Sequence, residues 1–288
     1  MRKVTYITLV ILALGFLAVI LVGGWLVAPA NRAVGNPPNV IEAESVKVAS
    51  SNGHKVAGWF VRGDADKPGV LLLHSVRSNR TEMLGRALFL RKSGYSLLLI
   101  DMQGHGETYG DLITFGYRES NDVRGAVEYL REKVAPQPVA IIGVSMGGAA
   151  SLLGEEPAVA DAVVLEAVYS SIDNAIRNRV SIRLGALGRY LSPLLTWQIE
   201  PRLGISRESL SPVRAIRRLE APVMIIGGTR DRHTDIAETR RLFEAARSQK
   251  ELWLIEGAKH ENLHRYAGRD YEARVLRFLR KHLQKPEN

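Results

Sequence analysis

VAIIGVSMGG, residues 139–148, runs from a short apolar segment through a glycine to Ser145 and on into small residues, Gly147 to Ala150, that open a helical pattern. A short apolar run bounded by turn signals has the length of a buried strand, and small residues after a turn let the chain pack back on itself. The expectation is a strand, a sharp turn and a helix, with Ser145 at the turn. In the spacing Gly143-x-Ser145-x-Gly147 the serine takes a strained backbone position, and the glycines let strand and helix pass closely. Its hydroxyl is then offered at the carboxyl end of a sheet, beside a helix N-terminus where developing negative charge is favoured. GxSxG alone is a weak signal, since any glycine-rich strand-to-helix turn can contain it.

The segments around this stretch alternate in the same way. Val46–Ala49 and Lys55–Val61 flank Ser50-Ser51-Asn52-Gly53, the pattern of an antiparallel hairpin. Gly69–Leu73, Tyr95–Ile100, Ala162–Leu165, Val223–Ile226 and Glu251–Glu256 read as strands, the first four as continuous apolar runs. Between and after them, Thr81–Ser93, Asn121–Val134, Ala149–Leu153 and Ile236–Arg247 read as helices. Strand and helix in alternation predict an α/β fold, a mostly parallel central sheet flanked by helices.

The 288-residue chain is 46% apolar and long enough for one large domain with a buried core. It has no cysteine, which excludes disulfides, thiolate metal sites and a cysteine nucleophile. The formal charge of +9 is spread over scattered arginines with no nucleic-acid motif, so the expectation is a solvated basic surface, facing anionic lipid if anything, and no nucleic acid. Residues 4–28 carry no charge and are long enough to cross a bilayer as a helix. Arg2 and Lys3 precede the run and only Arg32 closely follows it, so the positive-inside rule favours a cytoplasmic N-terminus and an extracytoplasmic remainder. Ala28-Pro29-Ala30 also has the small-x-small form of a signal-peptide cleavage site, but the run exceeds a usual signal core, and an uncleaved anchor is favoured. The expected organisation is a transmembrane anchor at 1–28, a Pro- and Gly-containing linker at 29–39 and a domain over 40–288 with a helical insertion at about 170–212.

LLLH at 71–74, DMQGHG at 101–106, GVSMGG at 143–148, GTRD at 228–231 and AKH at 258–260, in that order, resemble the α/β-hydrolase superfamily. The likeness is closer to single-domain members with a membrane-proximal N-terminus and a helical insertion after the sixth strand. It covers the chain from about Val40 onward. It implies the fold, a Ser-Asp-His catalytic set and an oxyanion hole from the backbone amides of Met146 and Val76. The usual pattern has glycine directly after the histidine of the first motif; this chain has Ser75, whose hydroxyl could contact substrate.

A serine hydroxyl needs a base, and the base an orienting acid; the order Ser, Asp, His is the one this fold produces. His260 follows a strand and the small residues Gly257 and Ala258, on a loop from which it could reach Ser145. His264 and His233 are its rivals. Asp231 lies on the loop after the strand Val223–Ile226, at the end of the sheet where such folds keep their sites. Glu166 also ends a strand and is the competing acid. Asp235 reads as a helix cap, His74 as a loop brace and His105 as structural.

Ile172–Leu195 carries apolar residues at helical spacing with interleaved arginines, followed by Trp197. This is either a cap over the site or a helical pair on the domain's side. As a cap, its Leu, Trp and Arg side chains favour an acyl or lipid-like substrate. The sequence therefore points to a membrane-anchored serine hydrolase of a small-molecule or lipid-like carboxylic ester. The competing expectations are a serine peptidase or amidase of the same fold, or a non-catalytic exported binding protein. No cofactor or metal is expected, and the turn at Ser145 lacks the lysine of a phosphate loop.

Overall fold

Gly69–Leu73 and Val139–Val144 pair in parallel at the middle of an eight-stranded sheet in the computed structural model, which describes residues 2–283. The outermost residues of the expected anchor and domain, 1 and 284–288, lie outside the described residues. The strands are β1 (Glu44–Ala49), β2 (Lys55–Val61), β3 (Gly69–Leu73), β4 (Ser96–Ile100), β5 (Val139–Val144), β6 (Ala162–Glu166), β7 (Val223–Gly228) and β8 (Lys250–Ile255). Their order across the sheet is β8-β7-β6-β5-β3-β4-β2-β1. Only β2 runs against its neighbours β1 and β4; every other pair is parallel.

Successive side chains of a strand point to opposite faces, and the apolar runs of β3–β7 serve two cores at once. Leu71, Leu73, Ile141, Val163 and Leu165 face one helical layer, formed chiefly by α3 (Glu119–Val134) and α4 (Met146–Leu152). Val70, Leu72, Ile142 and Val164 face the other, where α2 (Leu84–Lys92) contributes Ala87 and Leu90. Burial on both faces explains why these strands are continuous apolar runs rather than alternating ones.

Between β6 and β7 the chain builds an insertion of three helices, α5 (Ile172–Leu184), α6 (Ala186–Thr196) and α7 (Ile199–Leu203), followed by the short α8 (Pro212–Ala215). The helical spacing over Ile172–Leu195 resolves into two helices that meet at Gly185, which has φ +58°. A Cβ on Gly188 would meet the backbone of Ser181 at 2.6 Å, so glycine lets α6 fold back closely on α5. The strand–helix alternation resumes with α9 (Ile236–Ala245), and α10 (Leu263–Ala267) and α11 (Arg269–Leu283) close the second layer.

The apolar N-terminal run forms one helix, α1 (Arg2–Val27), with mean hydropathy 2.8 over its most apolar window and almost all of that window exposed. Residues 29–39 are stitched to the domain rather than forming a plain linker. Ala30 and Asn31 pair in parallel with His105 and Gly106, and Glu107 Oε1 accepts from the amides of Val34 and Gly35 at 2.9 Å each. These are contacts to backbone, made by the loop after β4, so composition carries no sign of them.

Candidate active site

Ser145 has φ +50° and ψ −108° between β5 and α4, a region that non-glycine residues occupy only when the surroundings enforce it. The enforcement is steric. A Cβ on Gly143 would meet Gly148 N at 2.5 Å, and one on Gly147 would meet His74 O at 2.7 Å. The strand end, the helix start and the loop after β3 are thus packed closer than any side chain allows. The Ser145 amide donates to Glu166 O at 2.7 Å, which ties the turn to the end of β6.

Asp231 lies on the loop after β7 and His260 on the loop after β8, at the same carboxyl edge of the parallel strands. His260 Nδ1 is 2.7 Å from Asp231 Oδ2. The other oxygen, Asp231 Oδ1, accepts from the amides of His233 and Thr234 at 2.7 and 2.9 Å. With both oxygens engaged, the carboxylate is fixed in rotation and its second oxygen is aimed at the imidazole. Thr234 Oγ1 donates to Ala167 O, the residue after β6, so the acid loop and the Ser145 turn share one strand end.

The rival groups have other partners. Glu166 is fully buried on the opposite side, accepting from Arg86 Nε at 2.8 Å and from the Tyr271 hydroxyl. His264 faces Glu272 at 3.1 Å. The His233 ring stacks on His260 with centroids 4.9 Å apart, and burial together with the charge of His260 lowers its pKa. Asp235 Oδ1 caps α9 by accepting from Glu238 N at 2.8 Å. Among the described residues no group of His, Asp or Glu side chains is arranged to hold a metal ion.

The loop after β3 is braced from both sides. His74 Nδ1 is 2.7 Å from Ser75 O, and His74 Nε2 accepts from Met102 N at 3.1 Å. These contacts define a neutral ring with its proton on Nδ1. The Ser75 amide and hydroxyl both donate to Glu82 Oε2, at 2.9 and 2.8 Å, so its hydroxyl holds the loop in place. Among the described residues the amides of Val76 and Met146 donate to no protein acceptor. Gly147, packed on His74 O, brings the two segments that carry these amides against each other.

Burial pushes His74 and the neighbouring His105, ring centroids 5.1 Å apart, each down to about 4. Between about pH 4 and the ordinary value of 6.5, only the unfolded chain binds these protons. Stability is therefore full above about pH 6.5 and falls as the pH drops toward about 4. Thermal unfolding followed by tryptophan fluorescence checks this: the midpoint should fall steadily from about pH 7 to about pH 4.5, and a flat profile would contradict it.

The sequence model of the alpha/beta hydrolase family matches residues 70–274. The chain belongs to this family. It is 23% identical over 243 residues to the uncharacterized protein YqkD of Bacillus subtilis, covering 83% of this chain and 80% of that one. The Pyrococcus furiosus esterase Pf2001 superposes with a TM-score of 0.74 at 23% identity, over 90% of this hydrolase and 99% of the esterase. The Pyrococcus horikoshii acylaminoacyl peptidase superposes with a TM-score of 0.64 at 15% identity, over 85% of this chain and 42% of the peptidase. At these identities the structural likenesses establish the hydrolase fold alone.

Arg86 and Tyr271 were not legible as the partners of Glu166, nor Glu82 as the brace of the loop after β3. Arg86 and Tyr271 lie 80 and 105 residues from Glu166, and no local pattern announces such pairings. A signal did exist for the second function of the acid loop: in Asp231-Arg-His-Thr234, an aspartate two and three residues before its backbone donors is the pattern of an Asx turn.

Proposed function

We propose that this protein is a membrane-anchored serine hydrolase that cleaves a carboxylic ester through an acyl-enzyme on Ser145. The observation that carries the reading is the Asp231–His260 pair at 2.7 Å on the same sheet edge as a serine held at φ +50°. In this reading Ser145 Oγ attacks the acyl carbon while His260 Nε2 takes its proton, and Asp231 stabilises the resulting imidazolium through Nδ1–H. The amides of Val76 and Met146 donate to the oxyanion. Collapse expels the alcohol, which receives the proton from His260. A water then attacks the acyl-enzyme, giving its proton to His260; collapse releases the acid and returns a proton to Ser145 Oγ.

Retention of α1 as an anchor is supported by its bonds to the domain. Val27 O accepts from Ile113 N at 2.8 Å, and Arg77 donates to Trp25 O and Ala28 O at 3.1 Å each. Cleavage after Ala30 would remove all three acceptors and half of the short pairing with His105 and Gly106. Arg2 and Lys3 before the span favour an extracytoplasmic catalytic domain.

The test is labelling of the full-length protein in detergent with a fluorophosphonate, followed by peptide mapping. The adduct is expected on Ser145, absent in Ser145→Ala and strongly slowed in a folded His260→Ala variant. Undiminished labelling of Ser145→Ala would overturn the assignment. Turnover of esters against matched amides then separates the esterase from the amidase reading.

A further inference from the structure

Helix α6 is built inside out. Its buried positions are the small residues Gly188, Ser192 and Thr196, spaced four apart, while Leu187, Tyr190, Leu191 and Leu194 are exposed, with Trp197 continuing the row. Leu187 is 67% exposed, Tyr190 66% and Trp197 60%. A helix packed on a domain in water carries the opposite pattern, with large apolar side chains inward. Contiguous exposed apolar side chains of this size mark a surface that meets another apolar phase.

What covers α6 is indicated by what it adjoins. The end of the insertion grips α1 well inside its apolar run: Gln198 Nε2 donates to Val19 O at 3.1 Å and Arg202 to Ile20 O at 2.7 Å. A Cβ on Gly23 would meet the Gln198 side chain at 2.4 Å, so glycine there permits the close approach. A small cleft between the two parts is lined by Leu26, Val27, Phe115, Ile176, Leu195 and Ile199. At the same end of α1, Leu21, Val22 and Trp25 are exposed. The insertion's exposed row therefore adjoins the apolar anchor. Trp25 under the Arg77 guanidinium and Tyr190 beside that of Arg189, at 4.6 and 4.9 Å, supply the aromatic and cationic groups that favour the headgroup boundary.

We propose that α6 and Trp197 lie in the interface of the lipid bilayer beside α1, seating the insertion of the hydrolase on the membrane. The inference rests on the anchor reading of α1 given above. A second copy of this chain is the competing occupant, and the experiment separates the two.

The chain is free of cysteine, so single cysteines report cleanly. The full-length protein carrying Leu187→Cys, Leu191→Cys or Leu194→Cys is labelled with an environment-sensitive fluorophore in phosphatidylcholine–phosphatidylglycerol vesicles. Quenching by acyl-chain doxyl lipid is compared with quenching by aqueous iodide. Leu14→Cys in α1 and Glu132→Cys on the exposed side of α3 are the references. Lipid quenching at the three α6 positions should exceed that at Glu132→Cys by about threefold or more, with iodide quenching reduced in proportion. Iodide quenching equal to that at Glu132→Cys, with Leu14→Cys still quenched by lipid, would overturn the α6 proposal and leave the anchor standing. Failure of lipid quenching at Leu14→Cys would bring down the anchor reading itself, and this inference with it. Shielding of the α6 positions from both quenchers, growing with protein-to-lipid ratio, would place a second copy on the face and also overturn the proposal.

Discussion

Asp231→Asn should fold and still bind substrate, yet lose about 10⁴-fold in kcat. The reason lies in how each oxygen of Asp231 is used. Oδ1 accepts two backbone N–H groups, from His233 and Thr234, while Oδ2 faces His260 Nδ1. An asparagine must place its carbonyl against the two amides, since the alternative sets a donor against two donors. Its NH2 then points at His260 Nδ1, which can only accept. The imidazole proton is driven to Nε2, the nitrogen that takes the proton of Ser145 in the proposed mechanism. The defect is one of tautomer, so KM should stay within about threefold while kcat falls. Steady-state kinetics on a soluble short-chain ester and an unchanged thermal midpoint check this together. A kcat within about tenfold of wild type would remove Asp231 from the orienting role.

The residues at this edge were legible because each lies just beyond a strand, two of them continuous apolar runs buried on both faces and the third, Lys250–Ile255, a half-buried edge strand. Val139–Val144, Val223–Gly228 and Lys250–Ile255 end immediately before the segments that carry Ser145, Asp231 and His260. Strand position alone could not separate Asp231 from Glu166, which ends β6 equally well. Separating them takes the direction of the side chain. Strand alternation sends Glu166 to the layer of Val164 and Ala162, where Arg86 and Tyr271 meet it. The seating of residues 29–39 was illegible for another reason: Ala30, Asn31, Val34 and Gly35 are held through their main chain, which no side-chain pattern reports. Ser75 has a partner that its identity did not announce: its hydroxyl donates to Glu82, seven residues away. The inside-out helix was visible as apolar spacing over Ile172–Leu195, but spacing does not say which face is buried. Gly188 against Ser181 decides that.

Breaking the buried cluster around Glu166 should cost stability on the scale of a core truncation. Arg86 and Glu166 have side chains only 1% and 0% exposed. Arg86 Nε reaches both Glu166 Oε1 and the Tyr271 hydroxyl, at 2.8 and 3.2 Å, and its guanidinium also bonds Glu166 Oε2. Burial alone would lower the guanidinium's pKa, but Glu166 and Tyr271 outweigh it and hold the proton more firmly than usual. Arg86→Met removes the cation and strands a carboxylate out of water. The expected cost is about 3–5 kcal/mol, a fall of roughly 10 °C in the thermal midpoint for a chain of this size. The double variant Arg86→Met/Glu166→Leu should recover most of that loss, because an apolar pair of similar volume escapes the desolvation penalty that the ion pair must offset. It also tests the chemistry. The Ser145 turn depends on Glu166 through its carbonyl oxygen, which leucine keeps. The folded double variant should therefore retain kcat within about tenfold of wild type. A loss of about 10⁴-fold in that variant, with Asp231→Asn left active, would move the orienting role from the β7 loop to the end of β6.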